Sequence, residues 1–339
     1  MRNLSMDALC EKIGNAVSKQ AISKYEKGES LPGSQILILL SQALDVKPDY
    51  FFRESQFAIS NIEFRKKAKM GVKEVEAIKE EIRDIIERYL EIEDVWGCVP
   101  SFANPVKEML VASEDDVYEV VKKLKDAWNI GEDGILSVTD LLESKNIKVV
   151  EIKADSSFDG LSGYVNNDEN MPFVVVNKSF DVERLRFTGL HELGHLVMNL
   201  PEEMEKKDKE RLCNLFASEM LISRDTFVDV LGERRSDISL QELKVLQAVY
   251  GISVDALMFK AKTVGVISES KHTSFCIRKN KSLAFKDAVE RSSYRGVEES
   301  SRFDRLVYRA LASDMISCSK AAVLLNEPME EVKNKLELV

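Results

Sequence analysis

The stretch LRFTGLHELGHLVMNL, residues 185–200, carries two of the three histidines in a chain of 339 residues. They are His191 and His195, four apart in an apolar run, with Glu192 beside the first. On an α-helix, positions i and i+4 share a face, roughly 6 Å apart. Two imidazoles placed so can each aim a nitrogen at one tetrahedral zinc ion. Glu192 lies about 100° further round the helix. It therefore flanks the metal without ligating it and can take a proton from water there. Phe187, Leu190, Leu193, Leu196 and Val197 predict that this helix is buried. Burying two imidazoles and a carboxylate without a partner is costly, and a metal removes that cost. The plainer reading is a pair of hydrogen-bonded core histidines.

A catalytic zinc takes a third protein ligand and keeps one position open. The remaining histidine, His272, is far away in the sequence, so a carboxylate is expected instead. The next helical segment, KERLCNLFASEML at 209–221, supplies Glu210, with Glu219 as its rival. Asn214 follows Glu210 by one turn and is expected to orient an imidazole. A donor to the oxyanion is expected in such a site, and Tyr164, Tyr250 and His272 are the candidates. Cys213 reads as a small buried filler.

Working outward, IKVVEIK (147–153), GLSGYV (160–165) and PFVVVN (172–177) have strand composition. PFVVVN stands just before the histidine helix and reads as an ordinary sheet strand, as an edge on which an extended substrate could pair, or as both. Amphipathic helices are predicted at 114–129 and 135–145 before these strands. Further helices are predicted at about 181–199, 205–222, 239–249, 253–263, 285–291 and 302–338.

RFTGLHELGHLVMN followed by E-x-x-C-N-x-F-A-x-E-x-L resembles the ImmA/IrrE family of zinc metallopeptidases. The strands and the segments LKDAWNI and LLESKNIKVVEI resemble that family's peptidase domain too, over roughly 115–265. The resemblance implies a zincin-like α+β domain with a small sheet, in which His191, His195 and Glu210 hold Zn2+ and Glu192 is the general base. It also implies a protein substrate, a repressor or an antitoxin. Gly189, Cys213 and Ser223 depart from the family pattern without touching these positions.

Residues 1–53 read as short helices punctuated by Gly28 and Pro32, with Leu9, Ile13, Ile22, Leu40 and Leu44 at helical spacing. The order L-C-x-x-I, then SKQAISKYEKG, then a proline is similar to the Xre/Cro-type helix-turn-helix. That resemblance implies binding to double-stranded DNA, with Ser18 capping the second helix and Lys19, Gln20, Ser23 and Lys24 facing the major groove. Met6 stands where that family often has a glutamine. The head holds seven basic and six acidic residues, so its non-specific DNA affinity is expected to be weak.

A long helix is predicted over 72–92, with Val75, Ile78, Ile82, Ile85, Tyr89 and Ile92 forming a heptad-like stripe. It is either a connector packed on its neighbours or the interface of a homodimer. ISCSKAAVLL (316–325) and the EPMEEVKNKL that follows read as two short helices and a turn, expected to pack on the peptidase domain.

The net charge of −10 excludes a chain that coats nucleic acid or membrane through bulk electrostatics. Five scattered cysteines without a CxxC suggest neither a disulfide framework nor a cysteine zinc site, and fit a reducing cytoplasm. The longest aliphatic run, ILILL at 36–40, is too short to span a bilayer, and no secretory leader is legible. The expected organisation is multidomain. An all-α helix-turn-helix head spans 1–56, a helical linker 57–113, the metallopeptidase domain 114–265 and a mostly helical C-terminal region 266–339. Two functions are compatible with it: a DNA-binding regulator with zinc endopeptidase activity, or a non-catalytic transcription factor or antitoxin using the peptidase fold as a sensor or scaffold.

Overall fold

The computed structural model describes residues 4–46, 48–52, 59–60, 71–97, 101–165 and 168–336. In chain order the first helices are α1 (Met6–Lys12), α2 (Lys19–Glu26) and α3 (Ser34–Leu44), then a 3₁₀ turn at Pro48–Phe52. A two-residue strand, β1 (Ile59–Ser60), precedes the long helix α4 (Val72–Val95). Next come α5 (Glu114–Trp128), α6 (Val138–Ser144), β2 (Lys148–Ile152), β3 (Gly160–Val165) and β4 (Pro172–Asn177). Helices α7 (Val182–Val197) and α8 (Lys206–Leu221) follow. After them come α9 (Arg224–Leu231), α10 (Leu240–Tyr250), α11 (Val254–Thr263), α12 (Glu269–Lys281) and α13 (Leu283–Glu290). The last are α14 (Arg302–Ala312), α15 (Cys318–Leu324) and α16 (Met329–Lys335). The multidomain class, with a helical head and a mixed domain bearing a small sheet, is borne out. No helix among the described residues is long and apolar enough to cross a membrane.

The chain divides into two compact units. One gathers α1–α4 with α14–α16, and the other holds β1–β4 with α5–α13. Toward the C-terminus the chain passes from the second unit to the first at 303/304. Phe275 of α12 and Val289 of α13 are buried in the core that surrounds the sheet, which ties those helices to it. The C-terminal helices instead cluster with α4. Arg88 donates to the Leu324 carbonyl at 2.7 Å, Lys320 pairs with Glu91, and the Trp96 indole donates to the Leu306 carbonyl at 3.3 Å. Val75, Ile78, Ile82, Tyr89 and Ile92 are all buried, with Ile86 rather than Ile85 filling the stripe. The stripe of α4 is therefore a packing face within the chain, the first of the two sequence readings.

In the head, Ser5 and Ser18 cap α1 and α2, accepting from the Ala8 and Ala21 amides at 3.1 and 3.3 Å. Each cap satisfies an amide the helix itself leaves bare. Leu9, Ile13, Ile22 and Leu40 close a small core, as the helical spacing predicted; Cys10 and Ala43 join it, and Leu44 packs against it partly buried.

The sheet has the order β1-β3-β4-β2. β3 and β4 are antiparallel, with Leu161 opposite Val175, while β2 runs parallel to β4, with Val149 opposite Val174. Every residue of β4 is buried. The run PFVVVN is thus a central strand, and its expected role as a substrate edge is overturned. A continuous apolar run is what a strand covered on both faces requires. β1 pairs only with Tyr164 and Val165, so the Gly160–Gly163 stretch of β3 has no second strand partner among the described residues.

Candidate metal centre

Helix α7 begins at Asp181, whose carboxylate accepts from the Arg184 amide at 2.9 Å. At its far end the Tyr164 hydroxyl donates to the Leu196 carbonyl at 2.9 Å, and the Asn104 amide donates to the Val197 carbonyl at 2.9 Å. Both carbonyls lie in the last turn, where a helix provides no partner of its own. Two glycines let neighbours come close. A Cβ at Gly189 would lie 3.3 Å from Val138 of α6, and one at Gly194 would lie 3.1 Å from the Phe216 ring of α8. The second contact seats α8 directly on the histidine helix.

That seating brings Glu210 of α8 to the histidines. Its Oε2 lies 3.4 Å from His191 Nε2. The rings of His191 and His195 are 5.1 Å apart between centroids, at 65° to each other. Ligand atoms of His191, His195 and Glu210 all lie within 4.8 Å of one another. His195 Nε2 is buried and takes no hydrogen bond from any described residue. A buried imidazole nitrogen without a partner is costly. Beside two more convergent donors, it fits a tetrahedral N/O cation of the zinc type.

Glu192 is almost fully buried at 2% exposure, and its Oε2 accepts from the Ser162 hydroxyl of β3 at 2.8 Å. The carboxylate is held beside the donor set and outside it. His191, Glu210 and Glu192 line an open cleft of about 370 Å³, lined also by Asp159, Gly160, Thr188 and Lys206. Asn214 lines the same cleft one turn after Glu210.

The rival ligand is placed elsewhere. Glu219 pairs with Lys260 at 2.5 Å, both nearly buried, and its second oxygen accepts from the Arg224 amide at 2.8 Å. Both oxygens are committed to these partners. The expected oxyanion donors also have other places. Burial pushes the Tyr164 phenol up to about 12, so it keeps its proton and gives it to Leu196. Tyr250 ends α10, where its carbonyl accepts from Arg186. His272 of α12 rests edge-on against Phe259, with ring centroids 6.0 Å apart. Neither Tyr250 nor His272 is among the residues lining the cleft. Cys213 is fully buried, as a filler should be.

Three features escaped the sequence reading. Ser162 orients Glu192 from a strand that pattern alone showed only as a strand. Gly160 lets that strand approach the helix: a Cβ there would lie 2.6 Å from both the Thr188 methyl and the Val175 carbonyl. Gly160→Ala is expected to push β3 off α7 and to destabilise by about 1–3 kcal/mol, checked by urea unfolding. A loss below about 0.5 kcal/mol would show that the strand yields freely. The third is Arg186, fully buried on α7. Its spacing to Leu190, Leu193 and Val197 put it on the core face, and that signal was legible.

In the head, Lys19, Gln20 and Lys24 are exposed on α2 and Ser23 is half-buried, with Lys19 paired to Asp7 at 2.6 Å.

Residues 1–51 match the helix-turn-helix family model, and residues 142–262 match the model of the IrrE N-terminal-like domain. The chain is also 45% identical over 53 residues to an uncharacterized HTH-type transcriptional regulator of Sinorhizobium fredii. That match covers 16% of this chain and 36% of the relative, so the two are alike over a minority of each. The chain thus carries a helix-turn-helix domain and a metallopeptidase-like domain, as the resemblances implied.

Proposed function

We propose that this chain is a DNA-binding regulator whose second unit is a zinc-dependent endopeptidase acting on a protein partner of the repressor or antitoxin kind. The observation that carries the reading is the convergence of His191, His195 and Glu210 within 4.8 Å, with Glu192 fixed beside them by Ser162. Zinc held by those three donors supplies Lewis acidity, polarising a peptide carbonyl and lowering the pKa of water. Glu192 accepts the proton of the attacking water and returns it to the departing amine, which is general base and then general acid work. Ser162 holds one oxygen of that carboxylate in place. Asn214 lines the cleft from α8, where it would steady the donor set.

The head supports DNA binding through the exposed side of α2. Lys19 and Gln20 lie in the first turn of α2, the part a helix-turn-helix presents to base edges, and Ser23 and Lys24 follow one turn later along the same side. Reading two half-sites takes two copies. The buried stripe of α4 implies that a homodimer would form through another surface.

Metal content tests the peptidase reading. The purified chain is expected to hold about one zinc per molecule, measured by elemental analysis, and His195→Ala is expected to lose it. Absence of zinc from the wild-type chain grown with ample zinc, or full retention in His195→Ala, would sink the proposal.

A further inference from the structure

A cavity of about 640 Å³ opens among the loop before α10 and helices α10, α11, α12 and α13, all within the second unit. None of its lining residues lines the metal cleft. Its apolar lining includes Ile238, Leu243, Met258 and Phe275, all buried. Phe275 of α12 and Phe285 of α13 meet edge to face, with ring centroids 5.9 Å apart at 76°. The volume is that of a small-molecule pocket.

The charges around this lining do not balance: three cations stand against two carboxylates. Lys271 pairs with Asp237 at 2.5 Å, and Arg235 pairs with Glu242 at 3.0 Å. Glu242 also accepts from the Ser239 amide at 2.8 Å. The Lys271 hydrogen bond holds the Asp237 carboxyl below its ordinary value, and hydrogen bonds to Ser239 do the same for Glu242, so both stay ionised at neutral pH. Arg278 is the third cation. Its guanidinium lies over the Phe285 ring, 4.1 Å from the centroid, and makes no ion pair with any described residue. A solvated arginine alone marks nothing. Here the cation is stacked on an aromatic ring at the wall of an apolar cavity, and stacking leaves the N–H edge of a guanidinium for a planar acceptor such as a carboxylate.

We infer that this cavity is a binding site for a small aromatic monocarboxylate, its ring among Met258, Phe275 and Leu243 and its carboxylate on Arg278. An aromatic ring gains edge-to-face contact with phenylalanine and contact with the thioether sulfur, which an alkyl chain lacks. A second carboxylate on the ligand finds no cation to take it, because Lys271 and Arg235 are already paired. The site stands apart from the zinc peptidase reading and gives the second unit a small-molecule input that does not pass through the metal.

Calorimetry on the full chain with three probes sharing one ring system tests this: 2-naphthylacetate, 2-(2-naphthyl)ethanol and 2-(2-naphthyl)ethylammonium. The carboxylate is expected to bind about tenfold more tightly than the alcohol, the worth of a charge-assisted hydrogen bond, and the ammonium more weakly than either. Octanoate, a carboxylate without a ring, is expected to bind more weakly than 2-naphthylacetate. Arg278→Met is expected to bring the carboxylate down to the level of the alcohol and leave the alcohol unchanged. Ser274→Trp, at an exposed position lining the same cavity, fills it and is expected to abolish binding of both. In His195→Ala the affinity for 2-naphthylacetate is expected to stay at the wild-type value. Loss of binding there would place the carboxylate on the metal and overturn the assignment. So would equal affinity for the three probes, octanoate binding as tightly as 2-naphthylacetate, a carboxylate preference that survives Arg278→Met, binding that survives Ser274→Trp, or no binding of 2-naphthylacetate at millimolar concentration. None of these outcomes bears on whether the chain holds zinc or cleaves a partner.

Discussion

Glu192→Gln is expected to lower cleavage of the partner protein by about 10²- to 10⁴-fold while the bound zinc stays at the wild-type level. The magnitude is that of removing a positioned general base, because the amide has the shape of the carboxylate but cannot accept the proton. Glu192 lies outside the His191, His195 and Glu210 set, so metal retention separates its role from theirs. The Ser162 hydroxyl that donates to Glu192 Oε2 can still donate to the amide oxygen, so the side chain should stay in place. The readout is the appearance of cleaved partner with time, alongside zinc content for the same preparation. Undiminished cleavage with zinc bound would remove Glu192 from the chemistry. Loss of zinc together with activity would make Glu192 a ligand, against its placement here. A wild-type chain that binds zinc and DNA yet cleaves no partner encoded beside it would favour the sensor or scaffold role.

The second large effect concerns stability. Arg186→Met is expected to cost about 3–5 kcal/mol, because it leaves a buried carboxylate without its counter-charge. Arg186 and Glu298 lie 2.5 Å apart with side-chain exposures of 0% and 2%. The guanidinium also donates to the carbonyls of Ile135 at 2.6 Å and Tyr250 at 3.2 Å and to the Tyr294 hydroxyl at 2.8 Å. Glu298 in turn accepts from the Val138 and Thr139 amides at 3.0 and 2.8 Å at the start of α6. One side chain thus joins α7, the loop before α6, the end of α10 and the extended segment after α13. Gly251 at the end of α10 has φ +60°, and a Cβ there would lie 2.4 Å from Arg186 Nε. The fork geometry of arginine serves several acceptors at once, so Arg186→Lys should rescue little. Urea unfolding of the unit that contains α7 gives the loss, and a double-mutant cycle with Glu298→Gln gives the coupling. A loss under about 1 kcal/mol would mean that the surrounding backbone re-satisfies its groups with water.

Much of the site was legible in a few residues. His191, Glu192 and His195 are bound to one helical turn by local geometry, so a sequence that forms the helix forms their juxtaposition. The Ser18 cap, the apolar stripe of α4 and the three main strands were legible for the same reason: each is a local pattern. The choice between Glu210 and Glu219 was different. Both lie on α8, and only the packing of Gly194 against Phe216 and the capture of Glu219 by Lys260 separate them. The short strand β1 carries no periodic signal in two residues. The rank of β4 as the centre of the sheet depends on where β2 and β3 dock.

By itself, then, the amino-acid order specified most of the helices, the three main strands and the pair of imidazoles, because those follow from spacing along a single element; α9 and α12 were not read from it. The tertiary structure alone decided which carboxylate meets the imidazoles, that Ser162 fixes Glu192, and that Arg186 ties the domain together. These depend on groups far apart along the chain, and their meeting is settled by close packing between elements, where the presence or absence of one Cβ changes what can touch.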